Sequence, residues 1–146
     1  MSSEKQSLIR STVIPGLHYR DTNAAIEWLM SAFGFVKKAA YPGPNNTIVH
    51  AELTLGDGMI MLGSAGKEGE YGRQIAQPEE IGMRATTTVY LVVPDPDAIY
   101  ATAKAAGATM ILDIADKEHG GRAFTCRDPE GHIWSVGSYD PWAPPA

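Results

Sequence analysis

Residues 50–64, HAELTLGDGMIMLGS, read as a strand, a Gly56-Asp57-Gly58 turn and a second strand. Apolar residues alternate with polar ones before the turn, and a period of two marks a strand with one buried face. Val49, Ala51 and Leu53 share the apolar side, so His50, Glu52 and Thr54 share the other. The same order of strand, glycine-bearing turn and strand returns in residues 122–138, RAFTCRDPEGHIWSVGS. Gly63-Ser64 falls on Gly137-Ser138 and Gly58 on Gly131, an offset that slips between 74 and 73.

The repeat extends toward the N-terminus of both segments. Arg20-Asp21 falls on Pro94-Asp95, and each aspartate is placed to cap a helix. Ala25, Trp28, Leu29, Ala32 and Phe33 lie on one face of the first helix, expected over about 22–34. The second helix is expected over about 96–106, and Gly34 and Gly107 are the expected terminators. Strands are expected at 13–20, 36–41, 47–55 and 59–63, then at 86–93, 109–114, 122–127 and 132–138. The fold class is therefore α+β, with two βαβββ repeats forming a shared cleft. The chain divides into a first unit at 12–64, a linker or lid at 65–85, a second unit at 86–139 and a tail at 140–146, all in one domain. A single βαβββ unit covers one sheet face with its helix and leaves the other open. Two units can pair their open faces around a cavity, with the helices outside.

The linker holds Gly66, Gly69, Gly72, Pro78 and Gly82 among mixed charges. A stretch of that length is either a functional lid or a mobile connection. Residues 1–11 are polar and expected to fray, and the tail DPWAPPA is proline-rich, with Trp142 free for a partner contact.

Composition narrows the function. The chain has 146 residues, 44% hydrophobic and 20% charged, and a net charge of -5, which argues against a general nucleic-acid binder. No apolar run has the length to span a bilayer, and MSSEKQSLIRST has no apolar core of a secretory signal. A cytoplasmic location follows by default. Cys126 is the only cysteine, so there is neither an internal disulfide nor a cysteine-based zinc cage. It shares strand parity with Phe124 and is expected to pack as a small buried hydrophobe. Trp28 and Trp134 are expected in the core, and His119 and His132 in exposed turns. Neither a phosphate-binding glycine loop nor a GxSxG elbow is found.

Three stretches carry a family resemblance: Tyr19-Arg20-Asp21 followed by AAIEWLMSAFGF, then HAELTLGDGMIML, then RDPEGHIWSVGSY. Together they resemble the vicinal-oxygen-chelate superfamily (glyoxalase, bleomycin resistance, dioxygenase), in its bleomycin-resistance-like or PhnB-like branch. The resemblance spans Val13 to Tyr139. It implies a small-molecule cleft and a homodimer whose clefts are built across both chains. Metal-using members carry a His or Glu on the first and last strand of each unit. Those positions fall here on Ile14, Met61, Thr88 and Ser135, which are poor ligands for a divalent ion. The expectation is therefore no metal and no cofactor. Glyoxalase and extradiol-dioxygenase chemistry both need such an ion as Lewis acid.

Strand parity names the residues expected to line the cleft: His18, His50, Glu52, Met59, Met61, Thr88, Tyr90 and Ser135, with Thr125 and Arg127 on the same side. The leading expectation is a metal-free binding protein for a small, partly apolar, aromatic molecule. The alternative is a lyase- or dioxygenase-like enzyme using a shifted metal or an acid–base site built from His18, His50 and Glu52. An interaction module without ligand and a merely solvated polar face are the plainer readings.

Overall fold

The structure is a computed structural model that describes residues 10–144. The expected fraying of residues 1–9 and the last two residues of the tail lie outside the described residues. The first repeat runs β1 (Gly16–Tyr19), α1 (Thr22–Phe33), β2 (Val36–Pro42), β3 (Ile48–Leu55) and β4 (Gly58–Ser64). The second runs β5 (Val89–Val92), α2 (Pro96–Ala105), β6 (Thr109–Asp116), β7 (Arg122–Arg127) and β8 (Ile133–Gly137). Each forms a four-stranded sheet, in the orders β1-β4-β3-β2 and β5-β8-β7-β6. In both, the first strand lies parallel to the last and the other pairs are antiparallel.

The duplicated punctuation does the same work twice. The Asp21 side chain accepts from the Ala24 amide at 3.0 Å, and Asp95 accepts from that of Ala98 at 3.2 Å. Gly34 and Gly107 close the two helices with φ of 87° and 94°, a left-handed conformation that costs glycine nothing.

Parity holds on the helix-bearing faces. Leu17 and Tyr19, Ala51 and Leu53, and Ile60 and Leu62 are buried on one sheet; Phe124 and Cys126, and Trp134 and Val136, on the other. The helices do not lie outside as the pairing of open faces predicts. They lie between the sheets and against each other. The Thr102 hydroxyl donates to the Ala32 carbonyl and the Trp28 indole N–H to the Ala106 carbonyl, both at 2.7 Å. Phe33 and Phe35 bring their rings within 5.3 and 5.9 Å of Trp134 across the repeat boundary. The two repeats thus share one core, and Trp28 sits half-buried at its rim.

Strands β1 and β5 are shorter than expected. β5 pairs from Val89 because its neighbour β8 starts at Ile133, directly after the DPEGH turn. Thr86 to Thr88 therefore lie outside the ladder. The segment between the repeats carries two 3-10 turns, Gly72–Gln74 and Pro78–Ile81. Gln77 is buried and forms a reciprocal capping box with Glu80. No helix among the described residues is long and apolar enough to cross a membrane.

Candidate functional site

With both helices between the sheets, the second face of each sheet is turned away from the helix layer. On the first sheet, register sets out rows of side chains across the strands. His18 pairs with Gly63, Gly63 with His50, and His50 with Tyr41. The next row holds Gly16, Met61, Glu52 and Ala39, and Met59 pairs with Thr54 beyond it. His18, His50, Glu52, Met59 and Met61 therefore share one open face, as strand parity predicts.

His50 and Glu52 form a pair on this face, with Nε2 and Oε2 3.0 Å apart. The Tyr41 ring stacks on His50 at 5.8 Å between centroids and 29° between planes. Lys38 Nζ stands 3.9 Å from the other Glu52 oxygen. Glu52 retains 23% of its side-chain exposure and His50 38%, so the pair is reachable from solvent. Gly63 leaves the row bare between the two histidines. A Cβ there would stand 3.3 Å from Cδ2 of His18, so the His18 ring lies over the glycine. Parity cannot reveal this role of Gly63, but its match to Gly137 in the repeat is a sequence signal for it.

Glycine recurs at the matching place on the second sheet. A Cβ at Gly137 would stand 2.8 Å from the Tyr90 hydroxyl, which donates to the Tyr139 carbonyl at 2.7 Å. Partial burial raises the Tyr90 pKa above its usual value, so it stays a neutral donor. Ser135 pairs with Tyr90 on one side and Thr125 on the other, and its hydroxyl lies 2.8 Å from that of Thr125. Arg127 on this side donates to the Gly131 carbonyl at 3.0 Å. Thr88 is exposed, just before β5. One chain thus presents two separate faces that carry polar side chains, one on each sheet.

A cavity that the two repeats share within one chain lies between the edge strands β1 and β5, roofed by the connecting segment. It encloses about 240 Å³. Of the expected site residues only His18 lines it. His132, expected in an exposed turn, is half-buried: its Nε2–H donates to the His18 carbonyl at 2.8 Å, and its ring meets Tyr19 edge-on at 4.6 Å. The Gln77 amide donates to the same carbonyl at 2.8 Å. The His18 ring itself faces Tyr71 at 5.6 Å. Burial, and then the nearby His132, lowers the His18 pKa and favours neutral imidazole.

The four positions that the resemblance assigns to the superfamily's metal carry poor donors for an ion. Ile14 offers no donor, Met61 only a thioether, and Thr88 and Ser135 neutral hydroxyls, with Ser135 already engaged by Thr125. The shifted alternative is not formed either. Among the described residues no three His, Cys, Asp or Glu side chains converge, so His18, His50 and Glu52 do not make a three-ligand set. What remains chemically is an imidazole–carboxylate pair able to orient a polar group or accept a proton.

The sequence model of the Glyoxalase/Bleomycin resistance protein/Dioxygenase superfamily matches residues 13–136. The uncharacterized protein Rv0887c of Mycobacterium tuberculosis is 31% identical over 129 residues, 88% of this chain and 75% of its own length. The crystal structure of TioX from Micromonospora sp. ML1 is similar, with a TM-score of 0.66 and 31% identity over 87% of this chain and 97% of its own. The fold also matches that of FosX, a fosfomycin resistance protein from Listeria monocytogenes solved with Mn(II) and a dihydroxypropylphosphonic acid. There the TM-score is 0.62 at 13% identity, over 90% of this chain and 92% of that one.

Proposed function

The chain belongs to the Glyoxalase/Bleomycin resistance protein/Dioxygenase superfamily, and from that premise we propose that it binds a small, partly apolar, aromatic molecule without using a metal. The observation that carries this reading is the make-up of the open face on the first sheet. The His50–Glu52 pair offers a polar anchor, while Met59, Met61 and the Tyr41 ring offer adaptable apolar and stacking surface. Two half-sites on opposite sheets of one chain call for a second copy. In a homodimer the first sheet of one chain can face the second sheet of its partner, so that Ser135, Tyr90 and Thr88 complete the pocket begun by His50 and Glu52.

A panel of small aromatic molecules screened by thermal shift tests the binding reading. Ligand at about a hundred times its Kd adds about 2.7 kcal/mol to stability. The expected hits lose their shift in both His50→Ala and Ser135→Ala, which lie on different sheets. No hit across a broad panel, or a monomer by light scattering at micromolar concentration, opposes the reading. Stoichiometric divalent metal in the purified protein opposes its metal-free part.

The His50–Glu52 hydrogen bond also favours a second reading, acid–base catalysis on the same face. Glu52→Gln separates the two. It keeps the shape of the site and removes the base, so retained binding with lost turnover of a bound compound favours the enzyme.

A further inference from the structure

The cavity between β1 and β5 has a composition of its own, distinct from that of the open faces. Its body is apolar, from Leu17, Ile75, Ile81, Val89 and Ile133, and none of its lining residues is an aspartate or glutamate. Its one charged residue is Arg84. The connecting segment carries two other cations, and both are engaged: Lys67 Nζ lies 2.8 Å from Glu80 and Arg73 Nη2 lies 2.7 Å from Glu70. Glu79 in turn is taken by Arg20 at 2.6 Å. Arg84 makes no ion pair among the described residues.

The backbone that leads to Arg84 is held in a costly conformation. Gly82 and Met83 both have positive φ, 75° and 58°, and Met83 is not a glycine. The second repeat fixes this bend. Gly131 leaves the space that Met83 and Pro78 fill, since a Cβ at 131 would stand 2.5 Å from Met83 Cε and 3.0 Å from Pro78 Cβ. Residues 84–87 then pass along the cavity. A bend held from the other repeat thus places an exposed cation, unpaired among the described residues, at a cavity also lined by His18 and His132.

We propose that this inter-repeat cavity, which meets the open face of the first sheet only at His18, is a second ligand site that takes a small organic acid. The carboxylate pairs with Arg84 and accepts from an imidazole N–H, while a short apolar or aromatic body fills the space between β1 and β5. A volume of about 240 Å³ falls just below the usual size of drug-binding pockets and suits one ring rather than two.

Benzoate is the probe, with benzamide as its uncharged counterpart. Each is titrated into the full chain while the His18 and His132 imidazole resonances are followed by NMR. Benzoate is expected to shift both resonances saturably, and benzamide to bind at least about tenfold more weakly, as loss of a charge-assisted contact implies. Arg84→Gln should weaken benzoate by about tenfold or more on the same grounds. Ala76→Trp, at an exposed position on the cavity wall, should block it. His50→Ala, which tests the open face, should leave benzoate binding at the cavity unchanged. The proposal is overturned by the absence of a saturable shift, by equal affinity for benzamide, or by indifference to Arg84→Gln. It is equally overturned by resonances that answer to protein concentration instead of benzoate, which would mean that a second copy fills the cavity.

Discussion

The Tyr19 hydroxyl donates a 2.5 Å hydrogen bond to the Asp128 carboxylate, joining the first strand of one repeat to the last turn of the other. Asp128 is only 4% exposed and is fully occupied. It also accepts from the Trp134 indole N–H and from the amides of Glu130 and His132, each at 3.0 Å. Burial first, and then the Asp128 charge, raise the Tyr19 pKa well above the usual tyrosine value, which keeps its donor proton in place. Asp128→Ala would strand these donors and should cost about 3–5 kcal/mol. Tyr19→Phe removes one donor and should cost about 1–3 kcal/mol. Urea unfolding checks both, and a loss under 1 kcal/mol in Asp128→Ala would contradict the account.

Glu130 reaches from the same turn to the head of α1, where its two oxygens accept from the amides of Arg20 at 2.7 Å and Asp21 at 2.9 Å. Glu130→Ala should lower stability by about 1 kcal/mol, the usual value of a capping contact. Glu130→Gln should restore part of that loss. Equal losses for the two variants would mean that the carboxylate's contacts are not what is being measured.

The lowered pKa of His18 gives stability a pH dependence of defined sign. Between the folded value and the ordinary value near 6.5, the unfolded chain binds more protons than the folded one. The contribution of His18 to stability is therefore complete above about pH 6.5 and declines as pH falls toward the folded pKa. His18→Gln should flatten that part of the profile. An unchanged slope below neutrality in the variant would assign the dependence to other groups.

Cys126 is fully buried, and its thiol is pushed up to about 12 by burial first and then by the charge of Asp128. It should resist thiol reagents at pH 8 in the folded protein and react only on unfolding. Labelling kinetics check this. Stoichiometric labelling within minutes under native conditions would show that β7 opens locally.

Gly131 has a φ of 97° and supports the bend at Met83. Gly131→Ala puts a methyl group against Met83 and Pro78 in a conformation unfavourable to alanine, and should cost about 1–3 kcal/mol. Met83→Ala in the same chain should recover part of it. The absence of any recovery would mean that backbone strain at 131 is the whole effect.

Much of this was legible because it is local. Alternation places His50 and Glu52 opposite Ala51 and Leu53 whatever else the chain does, and Asp21 and Asp95 cap the helices that follow them. Packing between distant segments was not legible. An apolar stripe on α1 says that something covers it but does not name α2, so the helices were expected outside. His132 was expected to be exposed because its turn is polar, and the carbonyl that holds it belongs to His18, 114 residues away. The metal positions illustrate a third case. There the sequence shows which donors are missing, while the three-residue replacement it suggests depends on side-chain geometry and does not form.

The core shared across the repeat boundary also bears on how this chain can change over time. When a duplicated unit keeps its own interior, either copy can be lost, swapped or transplanted. Here Phe33 and Phe35 have Trp134 as a neighbour, while the equivalent position in the first unit holds the smaller Ile60. The copies have become unequal parts that fit each other. A half cut out at the connecting segment would carry an uncovered apolar face, so neither copy is a self-sufficient module.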